Sequence, residues 1–159
     1  DQTFTVQGLG KVGKHLVKML KGNIEAYDPF VVDLDGVTHI EESKILQGKF
    51  YVPCALGGVL NGFSLASIKS EYVCGSTNNM FDTRNDIITA HNMGIKYVPD
   101  FITNCGGVVA VALDFKNKEY LPSLTTKLSK RINMILDISK DENIPAQHAA
   151  EQLANDRLK

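Results

Sequence analysis

The chain has 159 residues and 43% hydrophobic content, enough for one domain with a core of its own and too few residues for two ordinary domains. Its 17 basic and 18 acidic side chains nearly cancel and no basic run stands out, so the electrostatic footprint of a nucleic-acid binder is missing. Apolar runs such as Gly106 to Leu113 fall short of the ~18 residues a membrane-spanning helix needs, so a soluble protein with no membrane partner is expected.

The chain opens at Asp1 with no charged leader and no signal-like apolar run, and a strand pattern begins within two residues. Such an abrupt start is expected of a domain taken from a longer protein. Thr3 to Gln7 predicts a first strand, followed by a glycine turn and a helix whose Val12, Leu16, Val17 and Leu20 share one face. Asn23 to Tyr27 predicts a second strand. Val37 to Ile40, Phe50 to Val52, Tyr72 to Cys74 and Ile95 to Val98 predict four more. Between the last three lie helical segments at Leu65 to Lys69 and Thr83 to Met93, the second stopped by Gly94. Beyond Pro99 come an Asn-Cys-Gly-Gly turn, an apolar helix from roughly Val108 to Phe115, and two amphipathic helices. The first carries Leu124, Leu128, Ile132, Ile135 and Leu136 on one face; the second starts at Pro145 and carries Ala149, Ala150 and Leu153. This alternation predicts an α/β fold: a Rossmann-type, doubly wound, mostly parallel sheet with helices on both faces and further helices at the C-terminus.

Gly8-Leu9-Gly10-Lys11-Val12-Gly13 fits GxGxxG directly after a strand and at the start of a helix. In that setting Gly8 permits the tight turn, Gly10 lets a pyrophosphate approach the backbone, and Gly13 lets the helix pack close to the strand. Free N–H groups and the helix dipole then favour phosphates. The same pattern also occurs as a purely structural turn, or serves a flavin or a methyl donor. Asp28, 20 residues after Gly8 and at the end of the second predicted strand, can accept from both hydroxyls of a ribose. A carboxylate there repels a 2′-phosphate, which favours NAD over NADP; the competing reading is a solvated turn residue before Pro29. Cys54, Cys74 and Cys105 are odd in number, widely spaced and set in apolar segments, which fits reduced thiols in a cytoplasmic compartment. The four histidines show no ligand spacing, so no metal site is expected.

Four further segments carry a resemblance over nearly the whole chain, in order: Pro53-Cys54-Ala55-Leu56-Gly57-Gly58, Gly75-Ser76-Thr77-Asn78-Asn79, Val98-Pro99-Asp100-Phe101-Ile102-Thr103-Asn104-Cys105-Gly106-Gly107, and the tail through Ile144-Pro145. With the glycine loop, they resemble the cofactor domain of the glutamate/leucine/phenylalanine/valine dehydrogenase family. The resemblance implies that residues 1–159 form an NAD-binding domain and that main-chain atoms of Cys54, Ala55 and Leu56 lie along the cofactor ribose. The thiol of Cys54 itself reads as a packed small residue. It also implies that Asn78 and Asn104 face the nicotinamide, although an Asn-Asn pair also reads as a turn or helix cap, and that Gly106 and Gly107 let the backbone approach the ring.

Val108 and Val111 match family positions that face the substrate side chain. Glutamate-specific relatives place a polar residue at the position of Val111, and valines cannot pair a buried carboxylate. The implied substrates are therefore branched-chain or aromatic L-amino acids, oxidised reversibly to the 2-oxo acid and ammonia by a homo-oligomeric enzyme. Ordinary helix core is the competing reading of both valines. By the same resemblance, the lysines that bind the substrate carboxylate and assist deamination lie in a preceding domain, together with a partner aspartate. No residue here replaces them, Lys11, Lys14 and Lys18 included, so no catalytic residue is assigned to this chain. The stretch from Pro29 to Lys49 is shorter than its family counterpart by roughly one helix, whereas a parallel crossover usually needs at least ~10 connecting residues. Either a loop replaces that helix or residues are missing. A stand-alone NAD-binding sensor without catalysis is the alternative function; a methyl-donor-dependent transferase shares the glycine loop but leaves the asparagine segments unexplained.

Overall fold

In the computed structural model, which describes residues 2–112 and 120–158, six strands form one sheet in the order β3-β2-β1-β4-β5-β6. They are β1 (Thr3–Gln7), β2 (Asn23–Tyr27), β3 (Thr38–His39), β4 (Phe50–Pro53), β5 (Tyr72–Val73) and β6 (Lys96–Tyr97). Every neighbouring pair is parallel, so the sheet is wholly parallel where a mostly parallel one was expected. The order reverses direction between β1 and β4, which opens a crevice at the carboxyl ends of those strands.

Successive residues of a strand face opposite sides, and the two faces carry separate cores. Val6, Ala26 and Val52 pack with Val17 of α1 (Lys11–Val17) on one side. On the other, Tyr51, Val73 and Tyr97 pack with Leu65 of α2 (Gly62–Ser67) and with Ile87 and Ala90 of α3 (Arg84–Asn92). The strands at β3, β5 and β6 are shorter than the sequence predicts, and α2 begins earlier. The reason for the latter is Asn61, whose Oδ1 accepts from the N–H groups of Phe63 and Ser64 while the Ser64 hydroxyl accepts from Asn61 N–H. This capping box starts the helix three residues ahead of its first buried leucine. Thr83 and Asp86 form the same device at α3, so Thr83 caps that helix instead of belonging to it.

No helix joins β2 to β3. The connection is a loop whose Val31, Leu34 and Val37 pack against the core on the α1 side, taking over part of the missing helix's apolar cover. Phe30 is left 91% exposed. Between β3 and β4 there is only a 3₁₀ turn at Glu42–Lys44.

After β6, α4 (Asp100–Thr103) is a single turn and α5 spans Gly106–Ala112. Gly106 and Gly107 therefore open a helix, where a turn was expected; neither has positive φ. The predicted continuation through Leu113 to Phe115 lies outside the described residues. The long helix α6 (Tyr120–Asp141) and α7 (Ala146–Asn155) close the chain, with Ile135, Ala146, Ala149 and Ala150 buried. Pro145 sits at the cap of α7, just ahead of its first turn.

Candidate functional site

The predicted site residues other than Val108 and Val111 lie in the segments that follow the carboxyl ends of β1, β2, β4, β5 and β6, on the side of the sheet where its order reverses between β1 and β4. Gly8 leaves β1 with φ +96°, and its N–H donates to the carbonyl of Tyr27 at the end of β2. A Cβ on Gly13 would lie 2.0 Å from the Gly8 carbonyl oxygen, so α1 reaches the loop only because that side chain is a hydrogen. A Cβ on Gly10 would meet nothing within 4 Å; the space above it is open. The start of α1 has no side-chain cap, which leaves its first N–H groups available to an anion. The glycine loop thus has the form of a phosphate cradle, tight beneath Gly13 and open above Gly10.

Asp28 stands beside it. One carboxylate oxygen accepts the N–H of Leu9 at 2.7 Å, and the other accepts those of Phe30 and Val31 at 2.9 and 3.0 Å. Burial by itself raises this carboxyl's pKa, but the three N–H donors, with the Lys14 ammonium, outweigh it and hold the group below its ordinary value. The side chain is half-buried and charged, and it ties the β2 loop to the glycine loop. Turn residue and ribose acceptor are therefore compatible roles, since the oxygen that accepts the Leu9 N–H has a lone pair left for a ribose hydroxyl.

On the far side of the crevice, three loops lie against one another. Cys54 N–H donates to the Gln7 carbonyl, and the Cys54 side chain lies under α1 near Gly13. Ala55 and Leu56 are exposed, Leu56 at 83%. The Ser76 and Thr77 N–H groups donate to the Pro53 carbonyl, and the Gly58 N–H donates to that of Asn79. Asn104 Nδ2 donates to Asn78 Oδ1 at 3.2 Å, so the two predicted amides, from loops after different strands, meet side chain to side chain. Asp100 also reaches this group, its Oδ2 accepting the Asn79 N–H at 2.6 Å. The sequence pattern did not single out Asp100 or Asn79. Asn79 has φ +51°, a left-handed conformation that asparagine tolerates, and the Asn-Asn pair, which also reads as a turn, was the local signal available.

Val108 and Val111 are 75% and 70% exposed on α5, so neither is core. Val12 departs from expectation: it is 54% exposed instead of buried with its helix neighbours. With Leu16 and Leu20 it lines an apolar cavity of about 630 Å³, whose opposite wall is the Leu124, Leu128 and Ile132 stripe of α6. Among the described residues there is no cluster of three or more histidine, cysteine or acidic side chains able to hold a metal, and no helix long and apolar enough to cross a membrane.

The sequence profile described as glutamate/leucine/phenylalanine/valine dehydrogenase matches residues 21–158. Among curated relatives, leucine dehydrogenase of Bacillus cereus is 33% identical, covering 99% of this chain and 46% of its own length. Valine dehydrogenase of Streptomyces coelicolor is 31% identical, covering 99% and 48%. The crystal structure of L-tryptophan dehydrogenase from Nostoc punctiforme superposes with a TM-score of 0.87 at 28% identity, over 98% of this chain and 51% of that one. The chain thus spans about half the length of the curated relatives it matches.

Proposed function

The chain belongs to the glutamate/leucine/phenylalanine/valine dehydrogenase family, and from that membership and the geometry of the crevice we propose that it is the NAD-binding half of an amino-acid dehydrogenase. The observation that carries the reading is the pairing of an open glycine cradle with a charged Asp28 bonded to its Leu9 N–H. The open face of Gly10 and the uncapped start of α1, through Lys11, Val12 and Gly13, hold the pyrophosphate. The Asp28 carboxylate accepts from the adenosine ribose and disfavours a 2′-phosphate. Main-chain atoms of Cys54, Ala55 and Leu56 flank the second ribose. Asn78 and Asn104 offer one free amide N–H pair and one free amide oxygen, the complement of a primary carboxamide, and so orient the nicotinamide.

NAD, when bound, supplies the hydride acceptor. Val108 and Val111, three apart on α5 and exposed, form one wall for an apolar amino-acid side chain and keep water from it. The reaction is the reversible oxidative deamination of a branched-chain or aromatic L-amino acid to its 2-oxo acid and ammonia. Groups that bind the substrate carboxylate and move its protons are supplied from outside these 159 residues. The three cysteines, all free thiols, accord with a reducing, cytoplasmic compartment.

The test is a fluorescence titration of the 159-residue chain with NADH, followed by an assay with leucine, valine and phenylalanine. Saturable NADH binding without turnover is expected, because binding groups are present and proton-transfer groups are not. Absence of saturable binding, or robust turnover by this chain alone, overturns the reading.

A further inference from the structure

We propose that Asp100 is a positioning residue that sets the relative placement of the two nicotinamide-facing amides, Asn78 and Asn104; the inference rests on the dinucleotide reading above. Asp100 is the first residue of α4 and bonds in two directions, its carbonyl also accepting the Thr103 hydroxyl at 3.2 Å. Its side chain holds the Asn78-Asn79 turn through the Asn79 N–H at 2.6 Å, and its main-chain carbonyl accepts the Asn104 N–H at 2.8 Å. One residue therefore touches both loops from which the amides project. The other link between them is the Asn104-to-Asn78 side-chain bond at 3.2 Å, made by the same groups a carboxamide must engage.

The turn is pinned on its other side as well. The Asn79 carbonyl accepts the Gly58 N–H at 2.8 Å, and a Cβ on Gly57 would lie 2.6 Å from the Asn78 carbonyl oxygen. With one flank held by the loop after β4 and the other by Asp100, Asn79 stays at φ +51°. Removing the carboxylate frees one flank only. Asn79 is exposed, so water takes over its N–H and the fold loses little, whereas the amide pair loses its register. A short charge-assisted bond between exposed groups thus acts on geometry more than on stability.

The test compares wild type, Asp100→Ala and Asp100→Asn, the last keeping an oxygen that can accept from Asn79. Binding of NADH, which carries the nicotinamide, is measured against ADP-ribose, which lacks it. Asp100→Ala should weaken NADH roughly fivefold or more while ADP-ribose stays within about twofold, as expected when one charge-assisted bond is lost and its donor is rehydrated. Asp100→Asn should restore most of the NADH affinity.

If wild type binds neither ligand, the dinucleotide reading fails and takes this inference with it. If wild type binds both, and Asp100→Ala weakens both alike or neither, Asp100 has no positioning role and the dinucleotide reading stands. Wild-type amide NMR covers the case in which the alanine variant does not fold. The Asn79 N–H should be protected from exchange with solvent by its bond to Asp100, and the side-chain amides of Asn78 and Asn104 should shift on adding NADH but not ADP-ribose. An Asn79 N–H that exchanges as fast as an unbonded one overturns the inference.

Discussion

Alanine at Gly13 and alanine at Gly10 should have opposite signatures, although the two sites are three residues apart in one loop. At Gly13 the new Cβ would sit 2.0 Å from the Gly8 carbonyl oxygen, against 3.4 Å for ordinary contact, so α1 or the loop must move by more than an ångström. The loop cannot yield freely, because the Gly8 N–H is bonded to Tyr27 and a Cβ on Gly8 would already meet Cys54 and Ala55 at 2.9 Å. Overpacking of this kind costs about 1–3 kcal/mol. For a chain of this size that lowers the melting temperature by roughly 2–12 °C.

At Gly10 the backbone is extended, with φ −71° and ψ −159°, a conformation alanine adopts, and its Cβ would point into open space. Gly10→Ala should melt within about 2 °C of wild type. It should nevertheless bind NADH at least tenfold more weakly, about 1.4 kcal/mol, because the methyl stands where the pyrophosphate approaches the backbone. Calorimetry and NADH fluorescence on the same samples read both quantities. A Gly10→Ala chain that binds NADH like wild type would falsify the placement of the pyrophosphate on this loop. Equal destabilisation by both substitutions would refute the steric argument.

Asp28→Ser should weaken NAD and improve NADP relative to it, because the carboxylate meets a diol in one ligand and a phosphate dianion in the other; an unchanged ratio of the two dissociation constants reduces Asp28 to a turn residue. Since the folded-state pKa of Asp28 is lowered, its contribution is present above the ordinary carboxyl range and lost as pH falls through the folded value. The affinity of wild type for NAD itself, which carries no titrating 2′-phosphate, should therefore be flat from pH 8 down to about pH 5, and an affinity that fades across that window contradicts the lowered value. In the proposed whole enzyme, Val111→Leu should lower kcat/KM for larger side chains relative to smaller ones by roughly ten- to two-hundredfold, the range for one or two methylenes in an apolar pocket. Because Val111 is exposed in this chain, the change should leave its melting temperature and NADH affinity unaltered; an equal loss for leucine, valine and phenylalanine sinks the pocket assignment.

Much of the fold was legible in the sequence. β1 and β2 occupy the predicted segments residue for residue, and the glycine loop and Asp28 stand at the ends of those strands. Strand alternation, glycine at a positive-φ turn and an acidic residue at fixed spacing are local consequences of backbone geometry, so the chain's order alone carries them. Other misses were local as well. The early start of α2 is written in Asn61 and Ser64, whose capping box fixes the helix start independently of the apolar period.

What the sequence by itself determined, then, is the six strands, their parallel alternation with helices and the residue types brought to the segments after the strands. Only the tertiary structure decided that the shortened β2–β3 connection is a loop packing Val31, Leu34 and Val37 against the core, that Val12 faces a cavity, and that Asp100 reaches across 21 residues to Asn79. Each of these depends on where two distant segments come to lie. A hydrogen bond or an uncovered face between such segments follows from the packing of whole layers, and no periodicity along either segment records it.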